Sequence, residues 1–152
     1  MFGYFVQLRL VSFDEKHQLA NVTTVQIVEQ TLHILKTDKP IVKTVVHFVN
    51  PSCHCNSLTA PHIEQINQQA QKAGFTSATV NIDDSNPTII PATPAILITD
   101  NNGDLMYFGP YSQGLACSQK NSMIDVVFKN YQLGFNSDLV ISEAEGCYCQ
   151  TG

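Results

Sequence analysis

The chain has 152 residues, which is enough for one domain with a hydrophobic core of its own. Its 43% apolar content excludes a disordered chain, and no apolar run reaches the ~18 residues that a membrane span needs. The net charge is -5 with only eight Lys and Arg residues, so we expect no nucleic-acid partner. Charged residues make up 14%, below the ~25% typical of soluble domains, and Asn, Gln, Ser and Thr replace them. This composition favours the periplasm or cell envelope, and the cytoplasm stays an alternative.

The first residues, MFGYFVQLRLVSF, are apolar but interrupted by Arg9, and no small-residue cleavage site follows. We therefore do not expect a signal peptide. Two interpretations stay open, a natural cytoplasmic start and the remainder of a trimmed targeting segment. A membrane link is expected only through an anchor that this sequence does not contain.

The first half of the chain alternates a helix, a strand and a helix. Spacings of three and four predict an amphipathic helix from Val22 to Leu35, with its core face at Val25, Val28, Leu32 and Leu35. The run from Ile41 to Val49 is apolar and β-branched, which is typical of a strand buried on both faces. A helix is then predicted from Cys53 or Asn56 to Ala73, with Gly74 as its C′ residue. Pro61 lies inside it, so we expect Pro61 to kink the helix or to begin its regular part.

The second half predicts a hairpin and a last helix. The predicted strands are Thr76–Ile82, Ala95–Thr99 and Leu105–Phe108, with a tight turn at Asp100–Asp104 and a short strand-like segment at Asp138–Ser142. A helix from Ser122 to Leu133 ends at Gly134. This order predicts an α/β fold with a mixed four-stranded central sheet and helices on both faces. We divide the single domain into an N-terminal extension and helix (1–36), a core (37–134) and a tail (135–152).

Five cysteines are too few for a disulfide scaffold, but their spacing is informative. Two pairs are C-x-C, Cys53 with Cys55 and Cys147 with Cys149, and Cys117 stands alone. The odd number leaves at least one thiol free, bound to metal or paired between chains.

Cys53 is the predicted nucleophile. A thiol at a helix N-terminus meets unpaired N–H groups and the positive end of the helix dipole, and both favour the reactive thiolate. A protonated His54 would lower the thiol pKa further. The alternative is an inert buried cysteine. Cys55 is the predicted resolving thiol of a strained Cys53–Cys55 disulfide, which favours oxidation or isomerisation over strong reduction. Alternatively, Cys55 is bridged to Cys117 or to the tail.

The segment Thr44–Cys55, TVVHFVNPSCHC, resembles the first core strand and active-site turn of thioredoxins. Within a resemblance that spans about Thr37 to Leu133, Cys53 takes the position of the nucleophilic cysteine. Three further residues match the helix-kinking proline, the cis-proline and the glycine facing the active site, namely Pro61, Pro94 and Gly109. The resemblance implies a thioredoxin-like fold. The sequence departs from that family because its second cysteine comes two residues after the first rather than three.

The resemblance also implies roles for residues around Cys53. His47 stands where thioredoxins carry a buried Asp that assists proton transfer, and a histidine exchanges protons near neutral pH. The alternative is a hydrogen-bonded core histidine. A cis Pro94 places the Thr93 backbone beside Cys53, where an extended substrate segment can add as a strand. The alternative is an ordinary turn proline.

More narrowly, HFVNPSCHC, YFGPYSQGLAC and GCYC together resemble a group of bacterial thioredoxin-like proteins that often carry an N-terminal membrane anchor. The fold implied by the resemblance puts Cys117 at the edge of the active site, as a third redox thiol or a buried free cysteine. Cys147 and Cys149 relay electrons to the active site, staple the tail as a structural disulfide, or bind metal.

Three functions therefore stay open. The first is a thiol-disulfide oxidoreductase or isomerase without a cofactor, acting on protein thiols or disulfides and linked to a membrane redox partner. The second is a zinc- or copper-binding module that uses Cys53, Cys55, Cys147 and Cys149. The third is a disulfide-stabilised interaction domain without activity. A single nucleophile in a thioredoxin-like arrangement favours the first.

Overall fold

A computed structural model describes the chain at residues 11–12, 22–36, 41–50, 56–82, 92–109, 123–136, 139–140, 145–146 and 149–150. Within these ranges the chain forms three helices and nine strands. In chain order they are β1 (Val11–Ser12), α1 (Thr24–Ile34), β2 (Thr44–Val49), α2 (Asn56–Lys72), β3 (Thr76–Asn81), β4 (Ala92–Thr93), β5 (Ala95–Thr99), β6 (Leu105–Gly109), α3 (Met123–Gln132), β7 (Leu139–Val140), β8 (Glu145–Gly146) and β9 (Cys149–Gln150).

The central sheet is mixed and its strand order is β3-β2-β5-β6-β7. Strands β2 and β3 are parallel, as expected for a strand-helix-strand unit, and β5 and β6 form an antiparallel hairpin. The α/β class and the mixed sheet are confirmed, but the sheet has five strands rather than the predicted four. The additional strand is β7, which pairs in parallel with β6 and lies inside the predicted strand-like segment of the tail.

Helices cover both faces of this sheet. Val46 and Phe48 of β2 pack in one cluster with Ile27 of α1. Val45, which points to the opposite face, packs with Ile66 of α2, and α3 joins this second cluster through Ile124, Val127 and Phe128. The alternation follows from the two-residue period of a strand, since successive side chains point to opposite faces. His47 therefore points to the side of α2.

The predicted helix α1 is present, but its predicted core face was wrong at Val25. Val25 is 62% exposed, whereas Ile27 and Thr31 are fully buried. Burial of the polar Thr31 costs little because its Oγ1 donates a hydrogen bond to the carbonyl of Ile27 at 2.9 Å. The helix begins with a capping box, in which Thr23 and Gln26 exchange side-chain to backbone hydrogen bonds.

One further boundary differs from the predictions. Strand β2 begins at Thr44 rather than Ile41, because Lys43 has a φ of 46° and cannot continue an extended strand. Helix α2 is described from Asn56, one of its two predicted starts, and Pro61 lies inside it. The alternative start at Cys53 lies outside the described residues.

Both predicted glycine stops end their helices in the same way. Gly74 and Gly134 have φ values of 84° and 90°, which side chains rarely adopt. After α2, the N–H of Phe75 donates to the carbonyl of Ala70 at 2.8 Å. After α3, the N–H of Phe135 donates to the carbonyl of Asn130 at 2.8 Å. These bonds satisfy carbonyls that a helix end would otherwise leave unpaired.

The predicted hairpin turn between β5 and β6 is built around the carboxylate of Asp100, which is only 6% exposed. Its Oδ1 accepts hydrogen bonds from the backbone N–H groups of Asn102 and Asp104, at 2.8 and 3.0 Å. Its Oδ2 accepts a hydrogen bond from the side-chain amide of Asn136 at 2.8 Å. One side chain therefore ties the turn to the segment that follows α3.

We expect Asp100→Ala to lower the free energy of unfolding by about 2–4 kcal/mol, because three donors lose a partly buried charged acceptor. Asp104→Ala is the matched control, since Asp104 is exposed and contributes its backbone to this turn. Its effect should stay within about 0.5 kcal/mol. Urea unfolding followed by circular dichroism measures both, and equal losses would show that the carboxylate does not organise the turn.

Candidate functional site

Four of the predicted site residues, namely His47, Thr93, Pro94 and Gly109, lie near one end of the central sheet. His47 of β2 stands opposite Ile96 of β5, and Ile96 stands opposite Gly109 of β6. His47 and Gly109 are thus two strands apart, or about 10 Å between Cα atoms. Phe48 stands opposite Ala95, so the residues just before Ala95 lie at the end of β2 that leads to Asn50.

The peptide bond between Thr93 and Pro94 is cis and lies between β4 and β5. Only a small fraction of X–Pro bonds in folded proteins are cis, so this geometry marks a specific turn. Thr93 is fully buried, and the neighbouring β5 is buried along its whole length. The cis bond therefore lies inside the fold, beside the carboxyl end of β2.

His47 is fully buried, and its partner comes from α2. Its Nε2 lies 2.7 Å from Oδ1 of Asn67. An amide oxygen only accepts hydrogen bonds, so Nε2 must carry the hydrogen and donate it. In the neutral ring this leaves the basic electron pair on Nδ1.

Burial lowers the pKa of His47 below its usual value of 6.5, because desolvation disfavours the charged imidazolium. The hydrogen bond to Asn67 raises the pKa, but it is the smaller of the two effects. His47 is therefore neutral at pH 7 and has the protonation state of a base. This agrees equally with the prediction of a proton-transfer role and with the alternative of a hydrogen-bonded core histidine.

The C-terminal tail also reaches this end of the sheet. Strand β9 pairs antiparallel with β4, so that Cys149 stands opposite Thr93 and Gln150 opposite Ala92. Earlier in the tail, β8 pairs antiparallel with β1, joining Glu145–Gly146 to Val11–Ser12. The tail is thus connected by backbone pairing to the N-terminal extension and to the segment that carries the cis bond.

Four of the predicted cysteine sites lie outside the described residues, namely Cys53, Cys55, Cys117 and Cys147. Their predicted roles stay predictions. Cys149 is described as part of β9 through its backbone pairing with Thr93. No group of three His, Cys, Asp or Glu residues that could hold a metal ion occurs among the residues that the structure describes. The predicted metal site also includes Cys53, Cys55 and Cys147, which lie outside the described residues, so it stays a prediction.

The sequence reasoning missed two features of this site. The first is Asn67, whose signal is its place beside Ile66 and four residues after Ile63 on the predicted core face of the helix. A polar residue there indicates a polar partner in the buried strand below it. The second is β9, for which the sequence offers no signal because two residues have no measurable period.

A family model described as "Domain of unknown function (DUF6436)" matches residues 20–151. The match covers more than four fifths of the chain, including the tail, so the chain belongs to this family. No curated protein and no solved structure matches the chain. In the part of the chain that the structure describes, each helix is too short or too polar to cross a membrane.

The lowered pKa of His47 makes the stability depend on pH. Between the folded and unfolded pKa values, the unfolded chain binds a proton at His47 that the folded chain does not. The contribution of neutral His47 to the free energy of unfolding is therefore complete above pH 6.5. It is lost as the pH falls through the lowered pKa of the folded chain. We expect urea midpoints to fall from pH 7.5 to 5.5, and His47→Gln to weaken that slope.

His33→Gln is the control, because His33 lies exposed on α1. It should leave the pH slope of the wild-type chain unchanged. An identical slope in both variants would show that His47 takes up its proton equally well in the folded and unfolded chains.

Proposed function

We propose that this member of the DUF6436 family is a thiol-disulfide oxidoreductase or isomerase of thioredoxin-like fold, with Cys53 as nucleophile and Cys55 as resolving thiol. The observation that carries the proposal is the cis Thr93–Pro94 bond at the end of β2, the strand that leads into the C-x-C motif. The parallel β2–α2–β3 unit, the β5–β6 hairpin and the helices on both faces support the fold assignment.

The C-x-C motif lies, in the sequence, between the end of β2 and the start of α2. Cys53 comes three residues after Asn50 and three residues before Asn56. Asn50 follows β2 on the side of the cis bond, and Asn56 begins α2. The motif thus directly precedes a helix of 17 residues, whose positive dipole end favours a thiolate.

In the oxidising direction, a thiolate of a substrate protein attacks the Cys53 sulfur of a Cys53–Cys55 disulfide. That S–S bond breaks, a mixed disulfide to Cys53 forms, and Cys55 leaves as a thiolate. A second substrate thiolate then attacks the substrate sulfur of the mixed disulfide and releases Cys53. Two electrons and two protons pass from the substrate dithiol to Cys53 and Cys55. The reverse sequence reduces a substrate disulfide.

His47 fits the proton-transfer part of this cycle. It is neutral at pH 7, buried away from water, and held in one tautomer by Asn67. It lies on β2 six residues before Cys53. A base in this state can take the proton of a cysteine as it becomes a nucleophile and return it as the cysteine leaves.

The proposed substrates are protein thiols or disulfides, bound as extended segments. The proposed location is the periplasm or cell envelope, where disulfides persist. Returning Cys53 and Cys55 to the disulfide form then requires a partner that carries a disulfide of its own, and we propose a membrane redox protein for this step. No cofactor enters the exchange.

Substitution of each cysteine by Ser separates the two proposed roles. With a reduced, unfolded disulfide protein as substrate and glutathione disulfide as oxidant, we expect the wild-type chain to accelerate oxidative refolding. Cys53→Ser should abolish both the acceleration and the mixed disulfide. Cys55→Ser should also lose turnover. With an oxidised disulfide protein as substrate it should accumulate a covalent complex, because the Cys53 thiolate attacks the substrate disulfide and no Cys55 thiol resolves the product. Non-reducing gels and mass spectrometry detect that complex.

A wild-type chain without any acceleration, or two Ser variants with the same behaviour, would contradict the proposal. Ready alkylation of Cys53 after mild reduction is the supporting result that needs no substrate. If Cys53 lies in a disulfide that resists mild reductant, or is free but unreactive, the proposed oxidoreductase function fails. The structural and metal-binding functions then remain.

The proton-transfer role of His47 predicts a specific change in the pH profile. We expect His47→Gln to lower turnover at pH 7 by about a hundredfold, the usual size of a general-base contribution. Because the pKa of His47 lies below 6.5, the acid limb that it causes in the wild-type profile should lie below pH 6.5 and vanish in the variant. His33→Gln should retain both rate and profile. A variant that is slower but has the wild-type profile would mean that His47 is a core residue only.

A further inference from the structure

The C-terminal strand occupies the position where the proposed function requires substrate to bind. Strand β4 contains the residue before the cis bond, and among the described strands its one pairing partner is β9. That partner is extended and antiparallel, as a docked peptide substrate would be. The register places Cys149 directly opposite Thr93. Directly opposed residues of an antiparallel pair have Cα atoms about 4.5–5.5 Å apart.

We propose that the Cys147–Cys149 pair is an internal exchange partner of the Cys53–Cys55 pair, delivered to it by β9. This inference rests on the proposed function, because it assigns a substrate to the same site. The strand that fills the docking position belongs to the chain itself and carries a C-x-C motif of its own. A segment that served only to cover the edge of β4 would need no thiol at this register.

Backbone pairing connects the tail to the rest of the chain at three strands. Strand β7 pairs with β6 in the central sheet, and β8 pairs with β1 before the chain reaches β9. An attached segment that is already positioned reacts at an effective concentration far above that of a free peptide. The proposal requires Cys53 to react at this strand. Thr93 lies beside the carboxyl end of β2, and in the sequence Cys53 comes three residues after Asn50.

The exchange balances within the chain. The thiolate of Cys53 attacks the Cys149 sulfur of a Cys147–Cys149 disulfide, and Cys147 leaves as a thiolate. Cys55 then attacks the Cys53 sulfur of the Cys53–Cys149 bond and releases Cys149. Two electrons pass from the first pair to the second, and the protons of Cys53 and Cys55 end on Cys147 and Cys149. Run in reverse, the same steps oxidise the tail, so the tail connects the active site to a second thiol partner.

Two full-length variants with the same number of substitutions test whether Cys149, rather than Cys147, is the tail residue that reacts with Cys53. The first carries Cys55→Ser, Cys117→Ser and Cys147→Ser, which leaves Cys53 and Cys149. The second carries Cys149→Ser in place of Cys147→Ser, which leaves Cys53 and Cys147. Both are equilibrated in a glutathione redox buffer, quenched with acid and mapped by mass spectrometry. We expect an internal disulfide in the first at an effective concentration at least about tenfold higher than in the second.

Absence of the Cys53–Cys149 bond in a chain whose Cys53 still forms a mixed disulfide with glutathione would overturn this inference and leave the proposed function intact. The same holds if the Cys53–Cys147 bond forms equally well or better. If Cys53 reacts with neither the tail nor glutathione, the proposed function fails and the inference fails with it.

A measurement on the wild-type chain covers the case in which a variant does not fold. After partial reduction and rapid acid quenching, we expect Cys53–Cys149 among the trapped disulfides and its loss in 8 M urea. A Cys147–Cys149 bridge that persists unchanged while Cys53 and Cys55 exchange with glutathione would identify a structural staple and overturn the proposal.

Discussion

Burial of strand β2 on both faces is the constraint on which the rest of the structure depends. Val45, Val46 and Phe48 are fully buried, and each such side chain contributes about 1.5–3 kcal/mol when removed from water. A shift of its register by one residue would send all of them to the wrong faces. The same register holds His47 towards α2 and aims the end of the strand at the cis Thr93–Pro94 bond. The geometry of the site is thus a consequence of how this one strand packs.

His47 is a buried polar residue of that core, and Asn67 is its hydrogen-bond partner. Burial of an imidazole costs free energy, and the 2.7 Å hydrogen bond to Asn67 offsets part of that cost. The hydrogen bond fixes the tautomer, and burial keeps the ring neutral by lowering the pKa of His47. Asn67 lies on α2 and His47 on β2, so the bond connects the helix that follows the C-x-C motif to the strand that precedes it.

The tail is connected to this core through pairings of two residues each. Such short strands have little stability of their own, because a few hydrogen bonds do not offset the entropy of ordering the chain. Their positions therefore depend on the strands that they pair with, which are β6, β1 and β4. The family match, which runs from residue 20 to residue 151, treats core and tail as one unit.

The sequence by itself determined the elements whose signals are local. The strand from Ala95 to Thr99 has its predicted bounds, the Asp100 turn lies where predicted, and Gly74 and Gly134 end their helices. Each of these features depends on the periodicity of apolar residues or on the backbone preference of one residue. Both kinds of signal are contained within a few positions of the sequence.

Only the tertiary structure decided what depends on distant partners. Thr31 is buried in place of the predicted Val25 because its hydroxyl is satisfied within the helix. The fifth strand, the bond between His47 and Asn67, and the pairing of Cys149 with Thr93 join residues between 20 and 56 positions apart. No local pattern specifies such pairs, because the free energy that selects them arises only when the whole core has formed.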